Sequence, residues 1–74
     1  MIVKYDERTD TLTVRFSDTA MVAESDEESP NVIVDYDSDG NVIGFEILRA
    51  SQRMSDPRVL RYVDMMPVAL PAAA

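Results

Sequence analysis

Seventy-four residues, with seven Lys or Arg against fourteen Asp or Glu and a net charge of −7, describe one small acidic domain. The absence of cysteine and histidine removes disulfides, thiolate–zinc sites, Cys/His nucleophilic pairs and imidazole bases together, leaving only oxygen-ligand metals chemically open. A core of this size seldom leaves more than about 3–5 kcal/mol of net stability without a staple, so a homodimer or higher homo-oligomer is expected and no cofactor is.

The opening MIVKYDERTD lacks the basic, apolar and small-residue succession of a signal peptide. No apolar run approaches the length of a membrane span, so the expectation is a cytoplasmic protein with no membrane partner. Residues 2–6 and 11–17 alternate apolar with polar side chains and read as a first hairpin. A four-residue connection, Glu7-Arg8-Thr9-Asp10, pairs Tyr5 with Leu12 and Val3 with Val14, gathering apolar residues on one face. Met21 to Glu27 reads as a short edge strand whose charges discourage aggregation between sheets, and Pro30 ends it.

The stretch DYDSDGNVIGFE, residues 35–46, places Asp35, Asp37, Asp39, Gly40 and Glu46 at positions 1, 3, 5, 6 and 12 of the EF-hand calcium loop. That loop needs a helix on each side, whereas NVIVDY and VIGFEIL are β-branched and aromatic runs, so a β-hairpin is the better reading. A two-residue turn at Asp39-Gly40 pairs Tyr36 with Ile43, Val34 with Phe45 and Val32 with Ile47, all apolar on both strands. A three-residue loop would instead set Val34 against Gly44 and Val32 against Glu46, and the first register is preferred. It leaves Asp35, Gly44, Ile33 and Glu46 on the other, mixed face.

After Leu48 the period lengthens. Residues 49–54 suit a short turn, and Asp56 as N-cap with Pro57 at the first helical position starts a helix in which Val59, Tyr62, Val63 and Met66 share a face until Pro67. The fold class read from the sequence is therefore α+β, mainly β. It comprises an antiparallel β-meander of four or five strands over residues 1–53 and a C-terminal helix and tail over 54–74. The expected core is Val3, Tyr5, Leu12, Val14, Phe16, Val32, Val34, Tyr36, Ile43, Phe45 and Ile47. Ile33, Val42 and Leu48 point away from it, and with Val59, Val63 and Met66 they are the candidate interaction residues.

Among possible chemical sites, Asp35, Asp37 and Glu46 form the sharpest group, as divalent-cation ligands or an acid/base pair beside an opening at Gly44, with Glu24 able to join them. The plainer reading is that these carboxylates are solvated or paired with Arg15, Arg49 or another arginine, because acidic sheet faces are common and no complementary catalytic group is visible. Asp39-Gly40 explains itself as a turn. Five of the serines, Ser25, Ser29, Ser38, Ser51 and Ser55, have no histidine or evident lysine base, and the only lysine, Lys4, faces outward. Residues 1–48 carry three basic and twelve acidic side chains, whereas 49–74 carry four arginines and two aspartates. The acidic body argues against direct nucleic-acid contact, and the run Glu24 to Glu28 suits a basic protein partner.

In order along the chain stand Tyr5-Asp6 with Asp10 and Leu12, Val22-Ala23-Glu24-Ser25, Pro30, Val34-Asp35-Tyr36-Asp37, Gly40, Gly44, Glu46-Ile47 and Ala50-Ser51. In this succession, which covers residues 1–53, the chain resembles the small bacterial proteins grouped as domain of unknown function 2283. The resemblance brings no catalytic residue with it. Members are often encoded beside small toxin-like proteins, which implies an antitoxin-like or accessory role. Residues 55–74 depart from the short family pattern. A non-catalytic protein-interaction module is the resulting expectation.

Overall fold

Alternating β-branched and polar residues carry five segments of the chain into strands, and the computed structural model describes residues 1–65. The strands are β1 (Ile2–Asp6), β2 (Thr11–Arg15), β3 (Glu24–Ser29), β4 (Val32–Tyr36) and β5 (Val42–Leu48). They form one antiparallel sheet in the order β1-β2-β5-β4-β3. This is not the simple meander expected: a β1–β2 hairpin and a β3–β4–β5 meander join along β2 and β5. The connection 16–23 carries the chain past the ends of β5 and β4 to the far edge. It is tied at both ends, by Phe16 N–H donating to the Ile43 carbonyl at 2.9 Å and Ala23 N–H to that of Tyr36 at 2.8 Å.

The first hairpin has the expected register, with Val3 opposite Val14 and Tyr5 opposite Leu12. The second combines both registers considered from sequence. Val32–Ile47, Val34–Phe45 and Asp35–Gly44 pair as the two-residue turn requires, but Tyr36 pairs with Val42 and a bulge follows between Asp35 and Tyr36. The tip is a longer turn, with Asp37 N–H donating to the Asn41 carbonyl, Gly40 N–H to that of Asp37, and Gly40 at φ 85°. Asp37 explains the choice: its Oδ1 accepts the N–H groups of Asp39 and Asn41, both at 2.9 Å, closing an Asx-type turn. The bulge, which makes Ile43 the extra residue, then restores the apolar pairing further in. Val42 thereby stands opposite Tyr36 rather than on the mixed face with Ile33 and Leu48.

The expected edge strand forms as β3, three residues later at its start than the sequence suggests, and every one of its residues is exposed. The expected C-terminal helix does not form among the described residues. A single 3₁₀ turn, Ala50–Gln52, is the sole helical element there. Asp56 does begin a cap: its Oδ1 accepts Arg58 N–H at 3.0 Å, and its carbonyl accepts Val59 N–H at 3.0 Å. Helix nucleation is unfavourable and propagates in proteins chiefly where an amphipathic face is packed. Here Val59, Leu60, Tyr62, Val63 and Met65 all stay exposed, so nothing rewards the next turn. Met66 and Pro67 lie outside the described residues.

Opposed residues in the ladder share a face. One face carries Val3 and Tyr5, Leu12 and Val14, Phe45 and Ile47, and Val32 and Val34. Of the expected core only Leu12, Val14 and Ile43 are fully buried, joined by Ala50. Tyr5, Val32, Val34, Tyr36, Phe45 and Ile47 are half-buried, and Val3 and Phe16 are exposed. The Phe16 and Phe45 rings meet edge to face at 6.3 Å. The sheet is one layer, and the described part of the chain supplies no second layer to it.

Candidate functional site

On the opposite face, Arg15, Gly44 and Asp35 stand in line across β2, β5 and β4, with Ser25 of β3 beyond them. Glu46 and Ile33 form the next row. Gly44 is required by a close approach: a Cβ there would overlap the Val14 carbonyl oxygen and stand 3.2 Å from Arg15 Cα. The opening expected beside Asp35 is therefore filled by the β2 backbone. Asp35 is 0% exposed. Its Oδ1 accepts Ser25 Oγ–H at 2.6 Å. Among the described residues its Oδ2 is buried without an N–H or hydroxyl donor, and the Nε of Arg15 is buried without an acceptor.

Glu46 completes this cluster. Burial, together with its hydrogen bond to Asp35 and the negative charge there, pushes its carboxyl above the usual range, and Arg15 opposes the shift. Ser25 was not singled out beside Asp35 because the register of β3 is set by a turn at Pro30-Asn31, with Asn31 at φ 65°, that sequence spacing leaves open. Glu24 lies opposite Tyr36 rather than Asp35 and does not join. Nor does Asp37, whose carboxylate is taken by its own turn and held below the usual range by the Asn41 and Asp39 N–H groups. Among the described residues no group of three or more Asp or Glu is placed to hold a metal ion. No arginine forms an ion pair with Asp35 or Glu46 among them either; the ion pairs there are Arg8–Asp6 and Arg58–Asp56.

A second constellation joins the ends of the sheet domain. Asp10, at φ 54°, accepts Tyr5 Oη–H at 2.6 Å and Ser51 N–H at 3.0 Å on Oδ1, and Ser51 Oγ–H at 2.6 Å on Oδ2. Ala50 N–H donates to the Asp10 carbonyl at 2.9 Å. These bonds from Ser51 and Tyr5 hold the Asp10 carboxyl below its ordinary range, and the same contact pushes Tyr5 up to about 12. The cluster is a clamp: it docks the 3₁₀ turn on the first hairpin and buries Ala50. It accounts structurally for the widely separated Tyr5, Asp10, Ala50 and Ser51.

The third feature is an acidic rim. Glu24, Asp26 and Glu28 project beside Tyr36 on the apolar side of edge strand β3; Tyr36 Oη–H donates to Glu28 Oε2 at 2.9 Å, and all three carboxylates raise its pKa. An open groove of about 520 Å³ runs past Glu24, Asp26, Tyr36 and Asp37. The candidate interaction residues are spread over β4, β5 and the C-terminal segment. Ile33 and Leu48 are half-buried on the polar face. Val42 is exposed near the hairpin tip, Val59 and Val63 are exposed in the C-terminal segment, and Met66 lies outside the described residues.

Among the described residues, fold and sites together define a small antiparallel β protein of one layer, with one apolar and one polar face and an acidic edge. Residues 2–51 match the family model described as Protein of unknown function (DUF2283), and the chain belongs to that family. No curated protein and no solved structure matches it. Among the described residues no helix is long and apolar enough to cross a membrane.

Proposed function

We propose that the chain is a non-catalytic protein-interaction module, the accessory or antitoxin-like member of a two-protein system, which takes a basic partner along β3. The observation that carries this reading is the wholly exposed edge strand with Glu24, Asp26 and Glu28 along one side. An unpaired edge offers backbone hydrogen bonds to an added strand. Its carboxylates repel a second β3 and steer a cationic segment, so they select the partner by sign. The antitoxin-like version draws on the family's association with neighbouring toxin-like proteins. Co-expression with the neighbouring gene product and pull-down through this chain tests it. The expected result is a complex that weakens with salt and with Glu24→Lys/Asp26→Lys; no complex at low salt sinks the proposal.

A second reading, an acid/base site on Asp35 and Glu46, is favoured by the raised pKa of Glu46 beside a wholly buried carboxylate. It requires that Glu46→Gln abolish an activity without lowering stability.

A further inference from the structure

Among the described residues β3 has β4 as its one neighbour in the sheet, and all six residues of β3 are exposed. Its two sets of side chains are differently engaged. On the polar face Ser25 Oγ–H donates to Asp35 at 2.6 Å, and Glu27 Oε2 accepts Asn31 N–H at 2.9 Å. On the apolar side Glu24 and Asp26 stand opposite Tyr36 and Val34 and form no ion pair among the described residues. The ladder shifts between Glu27 and Ser29, so the regular part of the edge is residues 24–27. The groove past Tyr36 opens beside the start of this stretch; of the residues that line it Glu24, Asp26 and Asp37 are acidic and none is basic.

We infer that the strand added along residues 24–27 is an extended segment of another protein with two arginines two positions apart, facing Glu24 and Asp26, the first of them seated in the groove at Tyr36. This rests on the reading of β3 as the site of a basic partner and names the pattern that partner carries. Residues that face one another across neighbouring strands share a face, and successive residues alternate between faces. Cations set against both Glu24 and Asp26 therefore stand at every second position, where opposite charges stabilise the pair and like charges destabilise it. The pattern is the same for a parallel or an antiparallel addition. The residue between the arginines falls on the polar face beside Ser25, whose hydroxyl is already given to Asp35, and needs no charge.

Arginine fits the groove better than lysine. Its planar fork meets carboxylates through two parallel hydrogen bonds and stacks on an aromatic ring. Glu24 and Asp26 supply the carboxylates and Tyr36 the ring, with its hydroxyl held by Glu28 at 2.9 Å. A second copy of this chain is not the occupant. Its own β3 would set acid against acid, and no two of the seven Lys or Arg in the sequence are two positions apart.

Chemical-shift titration of the isotope-labelled full chain with short synthetic peptides tests the pattern. The probe is capped Val-Thr-Arg-Val-Arg-Thr-Val; its isomer Val-Thr-Arg-Arg-Val-Thr-Val carries the same charge with the arginines adjacent. The probe is expected to shift the amides of residues 23–27 and 36–40 and to bind roughly tenfold tighter than the isomer. Glu24→Gln/Asp26→Asn, at two exposed positions, should remove that preference while the circular dichroism of the sheet persists. An added strand turns only alternate N–H groups toward its neighbour. N-methylation of both arginines, and of the central valine and the threonine after it, should therefore weaken binding unequally. Equal binding of probe and isomer, equal effects of the two methylations, or a preference that survives the double variant overturns the inference. Any of these beside a salt-sensitive complex with the neighbouring gene product overturns the strand pattern and leaves the basic partner standing. The expected peptide results without that complex leave the strand pattern standing and overturn the two-protein reading.

Discussion

Gly44→Ala is the substitution whose consequence follows most directly from the structure. The added Cβ would overlap the Val14 carbonyl oxygen and stand 3.2 Å from Arg15 Cα and 3.3 Å from the Val14 carbonyl carbon. All three atoms are backbone, so no side chain can rotate aside, and relief requires β2 to move from β5 where Arg15 pairs with Gly44. Overpacking costs typically about 1–3 kcal/mol, and a rigid neighbour places this case near the top of that range. Against a net stability of about 3–5 kcal/mol for a core of this size, the variant is close to unfolded. Gly40→Ala is the internal control: nothing lies within 4 Å of its Cβ, but φ is +85°. An L side chain in that left-handed conformation costs roughly 1–2 kcal/mol. With a urea m-value near 1 kcal/mol/M, the midpoint should fall by roughly 3 M for Gly44→Ala and by roughly 1–2 M for Gly40→Ala. A Gly44→Ala midpoint shifted by less than that of Gly40→Ala would refute the close approach of β2 and β5.

Leu12→Ala, at a side chain only 2% exposed, should cost about 2–5 kcal/mol in the same titration. In an ultraviolet titration Tyr5 should ionise near pH 12, and Asp10→Asn should return it toward the ordinary value by weakening the hydrogen bond that Tyr5 donates and removing the carboxylate charge. Because Asp10 is depressed in the folded state, its contribution to stability is present above its unfolded pKa and lost as pH falls through the folded one. Thermal melts from pH 6 down to pH 2 should show this loss, and Asp10→Asn should reduce it. Glu46 has the opposite sign: its folded pKa is raised, so its favourable contribution is present below the unfolded pKa and lost as pH rises through the folded one. Glu46→Gln should therefore raise the melting temperature at pH 7 relative to wild type and lose that advantage near pH 4; an unchanged pH profile would refute the upward shift of Glu46.

The first hairpin was legible in the sequence because its cues are local. Val3, Tyr5, Leu12 and Val14 alternate, and a four-residue connection leaves one register that joins them. The inner half of the second hairpin was legible for the same reason, since only one pairing puts Val34 on Phe45 and Val32 on Ile47. Its tip was not, because the side chain of Asp37, rather than the Asp-Gly dipeptide alone, selects the turn, and a bulge absorbs the difference. The carboxylate site was half-legible: Asp35 and Glu46 share a face as their register requires, while Ser25 depends on a strand whose register spacing could not define, and Asp37 is spent on the turn.

Alternation and turn chemistry, which act over a few residues, determined that this chain makes antiparallel strands with one apolar face and an acidic edge, and a composition without His or Cys removed imidazole and thiol chemistry. Tertiary structure decided everything that depends on residues far apart in the chain. It placed β5 rather than β3 beside β2, brought Ser51 to Asp10 across 41 positions, and packed the β2 backbone against Gly44. It also decided that the cap at Asp56 leads to no helix among the described residues, because a helix of that length is stabilised chiefly by packing one face, and Val59, Leu60, Tyr62, Val63 and Met65 all stay exposed.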